Sequence, residues 1–451
     1  MALGRRKGKQ GSLWVAGNDL PRSAGHPFYT ALERVLVAGD FDRFVEDLCA
    51  EHYAERQGRP SIPPGRYFRM LFVGYFEGMT SQRGIAWRCQ DSLSIRDFLG
   101  LGPTERSPDH SSMTVIRQRL PFEIFEAVFR FVLECAQEQG LLKGKTVAVD
   151  ATFLEANAAM KSIVRRDTGE SWGEYIKRLA EEEGVENPSD DDARRLDRKR
   201  KKTVSNEEWE SKTDPDSRIA KMKDGRTRLA YKAEHAVDLD TDLVLAASIY
   251  RADHSDYDSA AVTLDDANEH LAAVDEDLAI EEAVLDKGYH KAETLVECEQ
   301  RGIRTYIPER KASGRRKWKD KPAASEPAFR ANRRRIRGPR NPGLQRRRSE
   351  FVERTFAHSC ESGGGRRSHL RGVYDVGKRW LVHLAARNLG VILRSVTGVG
   401  TPRALQAQHG DAPLLRGVID ALAQAHSWTT AVFASLLPIP TRPGSALSPQ
   451  C

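Results

Sequence analysis

The feature that most constrains how this chain folds is a change of hydrophobic periodicity near residue 145. Before it, residues 27–140 carry apolar side chains at helical spacing, as in Phe28–Val37 and Phe41–Ala54. After it, Thr146–Thr152 is a short, apolar, β-branched run with Asp150 at its end, which is the pattern of a buried strand. The chain is therefore predicted to begin with a helical region and to continue as a region built around a sheet.

Local signals predict where the helices of the first region begin. Pro63 and Pro64 precede the periodic run Tyr67–Phe76, as expected where proline opens a helix. We expect Ser81 to cap a helix at Gln82–Gln90, Asp109 or Ser111 to cap one at Thr114–Leu120, and a long helix at Phe122–Gln137. A short helix followed by a longer one resembles a helix-turn-helix only loosely. The region is thus predicted either to read DNA or to be a plain helical bundle.

After residue 152, short strand patterns alternate with helical ones. The predicted strands are the hairpin pair Arg228–Val237 and Leu243–Tyr250, then Ala283–Leu285, which leads into Asp286, and Arg304–Ile307. The predicted helices are Asp256–Leu271, Lys291–Arg301, Arg347–Ser359 and Val376–Val391. This order predicts an α/β fold, a mixed sheet with helices on both faces.

The same patterns divide the chain into four parts. We predict an N-terminal arm at 1–26, a helical domain at 27–140, a sheet domain at 145–395 and a tail at 396–451 that contains one apolar helix, Leu414–Ala434. The sheet domain is predicted to carry insertions at 157–228 and 310–346. The first is highly charged and is predicted to be helical with a mobile stretch, although Trp172 and Trp209 indicate some packing.

Composition narrows the class of protein. No stretch approaches the ~20 apolar residues of a membrane helix, and the N-terminus lacks the apolar core of a signal peptide. The six cysteines are far apart and form no C-x-x-C pair, which is typical of a reducing cytosol. We therefore expect a cytoplasmic protein without a membrane partner.

Positive charge is concentrated in one segment, residues 311–348, called the basic arm below. It contains fifteen Lys or Arg and two acidic residues, a net charge of +13, which leaves −6 for the rest of a chain whose total is +7. Such a segment on a mildly acidic body suggests a polyanionic partner, namely nucleic acid. The alternative is a solvated, disordered loop. The apolar residues Trp318, Phe329 and Ile336, which lie between the charged ones, favour instead a loop that packs against another surface.

Two carboxylates follow apolar strand runs directly, Asp150 and Asp286. Side chains at such positions can form a site outside the strand ends. A third carboxylate, Glu350 or Glu353, lies on the predicted helix after the basic arm, and helical spacing alone does not choose between them. Val352 and Phe356 are expected to anchor that helix to the sheet. Three carboxylates from two strands and a helix suit Mg²⁺, which in pairs supports phosphoryl transfer.

Other catalytic motifs do not occur in the chain. It contains no G-x-x-x-x-G-K-[ST] and therefore no P-loop, and no G-x-S-x-G nucleophile elbow.

Several long motifs, in order, resemble bacterial insertion-sequence transposases of the DDE class, in the broad superfamily of the insertion-sequence-four and insertion-sequence-five elements. They include GHPFYTALERVL, VAVDATFLEANAAMKSIVRRDTGE, LDKGYH and RRSEFVERTFAHSCESGGGRRSHLRG, and the resemblance covers nearly all of residues 10–402. It implies an RNase H-like catalytic domain whose metal-binding acidic triad is Asp150 in VDAT, Asp286 in LDKGY and Glu353 in VER. The resemblance thus favours Glu353 over Glu350.

Two auxiliary positions of the family pattern differ here. The lysine position seven residues after Glu353 is Cys360, and the arginine position four residues before it is Ser349. We expect nearby arginines to contact DNA phosphates instead. The full set of predicted DNA-binding residues is Arg333, Arg334, Arg335, Arg346, Arg347, Arg348, Arg354, Arg366 and Arg367.

The resemblance implies a DNA transposase that cuts at element ends and transfers the freed 3′-hydroxyl into target DNA. The implied cofactor is Mg²⁺, or Mn²⁺ in its place, and the partners are double-stranded DNA ends, target DNA and a second copy of the chain. The resemblance also implies a bacterial protein that is associated with the nucleoid. Two alternatives stay open: an RNase H-like nuclease without strand transfer, and a non-catalytic DNA-binding derivative.

Overall fold

The computed structural model describes residues 25–54, 61–102, 104–199, 205–310, 318–319 and 321–407. The predicted N-terminal arm up to residue 24 and the predicted helix Leu414–Ala434 lie outside the described residues.

The first region is helical, as predicted. Its helices are α1 (Pro27–Ala38), α2 (Phe41–Cys49), α3 (Pro64–Phe76), α4 (Gln82–Asp91), α5 (Leu93–Phe98), α6 (His110–Arg119) and α7 (Phe122–Glu138). The predicted start signals are confirmed: Pro64 opens α3, the Ser81 hydroxyl accepts the Gly84 N–H, and the Asp109 carboxylate accepts the Ser112 N–H. Helix α5 is not predicted from the sequence.

A mixed sheet forms the second region. Its strands are β1 (Thr146–Glu155), β4 (Arg218–Lys221), β5 (Thr227–Asp238), β6 (Val244–Arg251), β7 (Glu282–Leu285) and β8 (Arg304–Tyr306). Four strand pairings give the spatial order β6–β5–β1–β7–β8, and β4 also pairs with β5. Strand β5 runs antiparallel to its neighbours β6 and β1, whereas β7 and β8 run parallel to β1. The predicted α/β class with an RNase H-like mixed sheet and a preceding helical region is confirmed.

Strand β1 is longer than its apolar run. The sequence predicts an end at Asp150, but the strand continues to Glu155 because β5 pairs with it along its whole length. Only the pairing with β7 stops at Val149. Asp150 is therefore inside one ladder and just beyond the end of the other.

The charged insertion is only partly helical, so the expectation of a helical insertion is wrong in part. It contains β2 (Ile163–Arg165), α8 (Trp172–Glu182), α9 (Asp190–Lys199) and β3 (Trp209–Ser211), and it continues into β4 of the main sheet. The packing role of the two tryptophans is confirmed, because the rings of Trp172 and Trp209 lie 5.1 Å apart.

The part of the basic arm that the structure describes after residue 321 is helical, which corrects the expectation of a loop. It forms α12 (Ser325–Arg337) and α13 (Arg340–Phe356), and a π-helical turn follows at Ala357–Ser362. Apolar side chains hold these helices in place: Phe329, Leu344, Val352 and Phe356 are all buried. The prediction that Val352 and Phe356 anchor the helix is thereby confirmed.

The remaining helices cover both faces of the sheet. They are α10 (Asp256–Val274), α11 (Ala292–Gln300), α14 (Val373–Thr397) and α15 (Pro402–Ala407). Helix α14 is buried on almost all sides, since it packs against α3 and α7 on one side and β6 on the other. One continuous apolar core therefore joins the helical region to the sheet.

Two further findings concern the described part of the chain. None of its helices is both long and apolar enough to cross a membrane. Its five cysteines are free and buried.

Candidate active site

The two candidate aspartates are neighbours at one end of the parallel strands. In the β1–β7 ladder, Val149 is opposite Leu285, and this is the last pair. Asp150 and Asp286 are the next residues on the two strands. Because adjacent strands lie about 4.8 Å apart, this register places the two carboxylates side by side. This juxtaposition is the one expected from the strand ends.

Asp150 is partly buried, in surroundings that disfavour the ionised form of its carboxyl group. Burial raises the pKa of its carboxyl group, and the nearby Asp286 carboxylate raises this pKa further. Arg348 and the Ala151 N–H act in the opposite direction, and both donate hydrogen bonds to Asp150, at 2.7 and 2.8 Å. The negative form of Asp150 therefore depends on positive charge in its surroundings.

Asp286 starts a tight turn that fixes its side chain. Its Oδ1 accepts the Gly288 N–H at 2.5 Å. A Cβ at Gly288 would lie 2.7 Å from that oxygen and 3.2 Å from Oδ2 of Asp256, the first residue of α10. These two distances mean that the Asp256 and Asp286 oxygens are at most about 5.9 Å apart. Asp256 is thus a third carboxylate near the strand ends, and sequence reasoning missed it.

A buried polar network lies on the α10 face of the sheet beside these aspartates. Glu234 is fully buried, and its carboxylate accepts hydrogen bonds from Ser259, Thr263 and the Tyr289 hydroxyl at 2.6–2.9 Å. Lys232, also buried, lies 2.8 Å from Asp256 and 3.4 Å from Glu234. The network ties β5, α10 and the turn after Asp286 together.

Helix α13 covers the opposite face because aromatic side chains fix it there. His235 is opposite Asp150 in the β1–β5 ladder and therefore shares its face. Its ring stacks on Phe356 of α13 at 4.4 Å, and it accepts the Trp380 indole N–H at 2.9 Å. Burial lowers the pKa of His235 well below its usual value, so the ring is neutral. This packing brings Arg348, two turns earlier on α13, to Asp150.

Glu353 is on α13 but is not joined to the aspartates. Its side chain is exposed and accepts a hydrogen bond from Ser349 at 3.2 Å. Glu350 is exposed as well and pairs with Arg354. Within the described ranges, no three His, Cys, Asp or Glu side chains form a group able to hold a metal ion. The side chain of α13 that reaches Asp150 is Arg348.

Most of the predicted DNA-binding arginines have partners within the protein. Arg333 makes a bidentate pair with Glu309, at 2.6 and 2.7 Å, and Arg335 donates to the Thr305 backbone oxygen and hydroxyl. Arg347 pairs with Asp240. By contrast, Arg334 and Arg346 are exposed and make no ion pair with the described residues.

The predicted arginines after Glu353 also have partners within the protein, and only Arg366 and Arg367 lie beside the end of β1 at Glu155. Arg354 lies between Glu350 and Asp242, Arg366 pairs with Glu361, and Arg367 is 3.8 Å from Glu155. Cys360 is buried, and burial raises the pKa of its thiol to about 11, so this position supplies no charge.

Two family models match the chain in the regions that carry these features. The model described as a transposase domain (DUF772) matches residues 22–119, and the model described as a transposase DDE domain matches residues 143–389. The second match covers more than half of the chain. The chain belongs to the DDE transposase family. Searches among curated proteins and among solved structures found no match.

The two matches divide the transposase as the fold does. The first covers α1 to α6, and the second covers the whole sheet, the basic arm and most of α14. Membership confirms the resemblance to insertion-sequence transposases, implies DNA as a partner, and is typical of enzymes that use divalent metal ions. The sequence offered no signal for Asp256, Lys232 or Arg348 as neighbours of the aspartates, since each is brought there by long-range packing.

Proposed function

We propose that this transposase cleaves DNA at the ends of its element and joins the 3′-hydroxyl to target DNA by in-line phosphoryl transfer. The observation that carries the proposal is the β1–β7 register, which sets Asp150 beside Asp286 at the end of two parallel strands. In the proposal, Asp150, Asp286 and Glu353 are the metal ligands. Neither step requires a covalent bond to the protein.

The aspartate pair has the chemistry of a site for Mg²⁺, or for Mn²⁺. Both side chains offer hard oxygen donors, and burial together with the neighbouring Asp286 raises the pKa of Asp150, so a divalent cation would stabilise its ionised form. When bound, such ions polarise the scissile phosphate and stabilise the leaving oxygen. The protein's own contribution is to hold the two carboxylates fixed, through the sheet register and the Gly288 turn.

Glu353 is proposed to act from α13 as the third ligand. Glu350 is the matched control, because it is on the same helix, is exposed and has the same chemistry. We expect Glu353→Gln to lose Mg²⁺-dependent cleavage and Glu350→Gln to keep it, with duplex binding similar in both. The opposite pattern would move the assignment to Glu350.

The basic arm is proposed to bind the phosphate backbone. Because Arg333 and Arg335 are held by internal partners, we choose the exposed Arg334, Arg337 and Arg346, which form no ion pair with the described residues. Changing those three to alanine should make the log–log salt dependence of duplex binding shallower by roughly 2.7, at about 0.9 per lost phosphate contact. The loss should be similar for element ends and for unrelated duplex, since backbone contacts carry little sequence information.

A test of the salt slope separates this proposal from a diffuse charge effect. The control variant is Arg43→Ala, whose exposed side chain is on α2, away from the arm. An unchanged slope in the triple variant would contradict backbone binding by the arm. A loss confined to element ends would instead show that the arm reads sequence.

Strand joining distinguishes a transposase from a nuclease. Pre-cut and uncut element ends are each incubated with a supercoiled target and Mg²⁺, and cleaved and joined products are counted. Joined product is the expected result, whereas cleavage of uncut ends without joining would identify a nuclease. Light scattering of the protein–DNA complex tests the expected dimer.

A further inference from the structure

A cavity of about 280 Å³ lies between the helical region and α14, and its lining is strongly basic. Three arginines and two histidines contribute to it, Arg83, Arg117, Arg379, His110 and His369. None of the residues that line it is acidic. Small-molecule sites usually measure about 300–1,000 Å³, so the space suits a single phosphate group or one nucleotide.

Two of the arginines have unused hydrogen-bonding capacity. Arg117 is only 7% exposed, and its Nε pairs with Asp375, but its Nη1 is buried with no hydrogen-bond partner. Arg379 makes one long hydrogen bond, 3.4 Å to the backbone oxygen of Met79. Burial, together with nearby Arg117, lowers the pKa of Arg379 to about 10. Arg379 is half-buried and pairs with no acidic side chain among the described residues, so an anion in the cavity would balance its charge.

The backbone around the cavity also favours an anion. Ser81, Gln82 and Arg83 line it at the start of α4, and His110 lines it at the start of α6. Helix α4 has ten residues, and its N-terminal end carries partial positive charge, whereas the Asp109 carboxylate already caps the N-terminal end of α6. Tyr67 and Phe125, both buried, form an apolar wall that reduces local screening.

We propose that this cavity is a binding site for a phosphate group, with Arg117 and Arg379 as its principal ligands and Arg83 at its exposed rim. The phosphate comes either from a DNA backbone, which would deepen the proposed transposase function, or from a free nucleotide or inorganic phosphate. The site is remote in sequence from the aspartates and requires no DNA cleavage. Failure of this inference and failure of the proposed function are therefore separately observable.

The first experiment measures inorganic phosphate binding to the full chain by calorimetry and by the thermal unfolding midpoint, at ionic strength matched with chloride. In the wild type, phosphate should raise the midpoint beyond the chloride control, because a ligand of the folded state stabilises it. Arg379→Met should lose this increase and bind phosphate at least tenfold more weakly, as expected for one charge-assisted hydrogen bond. Arg43→Gln, an exposed arginine outside the cavity, should behave as wild type.

The unfolding temperatures of the variants without phosphate show whether a substitution affects folding rather than phosphate binding. Since Arg379 pairs with no acidic side chain in the part of the chain that the structure describes, Arg379→Met should unfold at the same temperature as the wild type or higher when phosphate is absent. Arg83→Gln, at the rim, should fold normally and weaken phosphate binding to a smaller extent. A wild type with no phosphate-specific increase, or the same increase in Arg379→Met, would overturn the proposal.

The second experiment identifies the source of the phosphate. A 30-base-pair duplex with 5′-hydroxyl ends is bound to wild type and Arg379→Met. A duplex affinity about tenfold lower in the variant, with inorganic phosphate competing in the wild type, supports a DNA phosphodiester. Equal duplex affinity together with lost phosphate binding supports a free phosphate or nucleotide.

Discussion

The ion pair between Arg348 and Asp150 predicts that loss of the arginine changes metal binding and DNA cleavage in opposite directions. Nη1 of Arg348 donates to Oδ2 of Asp150 at 2.7 Å, and the two side chains are 16% and 31% exposed. If Asp150 binds a divalent ion, this pair competes with the ion for the same carboxylate. We therefore expect Arg348→Met to bind divalent ions more tightly than the wild type and to cleave DNA more slowly.

The size of the first effect follows from the geometry. Two unit charges about 4 Å apart attract by about 4 kcal/mol at an effective dielectric constant of about 20, and desolvation offsets part of this. A hydrogen bond to a charged group contributes about 1.5–3 kcal/mol net. Removing Arg348 should therefore raise divalent-ion affinity about ten- to a hundredfold.

The slower cleavage follows from the other nitrogens of Arg348. Its Nε is buried and has no hydrogen-bond partner in the described part of the chain. When a metal ion displaces Arg348 from Asp150, Nε and Nη1 are both left without an acceptor, and we expect the guanidinium to donate to a substrate phosphate, which methionine cannot do.

The assay is a Mn²⁺ titration followed by electron paramagnetic resonance, with single-turnover cleavage measured on the same samples. Arg346→Met is the matched control, since Arg346 is on the same helix, is exposed and forms no ion pair with the described residues. Affinity in Arg348→Met equal to or weaker than that of the wild type would refute the competition. Unchanged cleavage would refute the phosphate contact.

Two further predictions concern stability. Lys232→Met should lower the free energy of unfolding by about 3–5 kcal/mol in urea titrations, because it leaves the fully buried Glu234 without its cation. Adding Glu234→Gln to this variant should recover part of the loss. No recovery would argue against the pairing of Lys232 with Glu234. The pKa of Asp150 is higher in the folded protein than its ordinary value of 3.8. Protonation of Asp150 therefore stabilises the fold fully below pH 3.8, and this stabilisation is lost as the pH rises through the pKa of the folded state. Without divalent ions, Asp150→Asn should therefore be more stable than the wild type at neutral pH and equally stable in strong acid. A variant less stable than the wild type at neutral pH would contradict this sign.

Elements fixed by local signals were predictable from the sequence. Ser81 and Asp109 cap helices where the sequence places them, and the β5–β6 hairpin turns around Asp240. The extension of β1 to Glu155 was not predictable, because it depends on pairing with β5, about eighty residues later in the chain.

The basic arm shows why charge alone misleads about secondary structure. A run rich in arginine was expected to be a loop, yet it forms two helices because distant carboxylates neutralise its charges. Arg333 meets Glu309, Arg340 meets Glu282, and Arg348 meets Asp150. Those partners lie 24 to 198 positions away in sequence, beyond any local pattern.

The candidate site also contains some residues that the sequence predicts and others that it does not. Asp150 and Asp286 each follow an apolar run, so the sequence singled them out, and the strand register brings them together. Glu353 was assigned by resemblance, and its role stays a prediction. Asp256 carried no local signal because only the turn at Gly288 and the side chain of Lys232 connect it to the site.

The most direct test of the central claim is single-turnover cleavage of a duplex that carries the inverted repeats flanking the coding sequence. Wild type, Asp150→Ala, Asp286→Ala and the control Asp277→Ala, an exposed aspartate after α10, are compared in Mg²⁺ at equal DNA occupancy. We predict that both site variants bind the duplex but produce no cleavage, while Asp277→Ala cleaves as the wild type does. Cleavage at the wild-type rate by either site variant would contradict the assignment of this aspartate pair to catalysis.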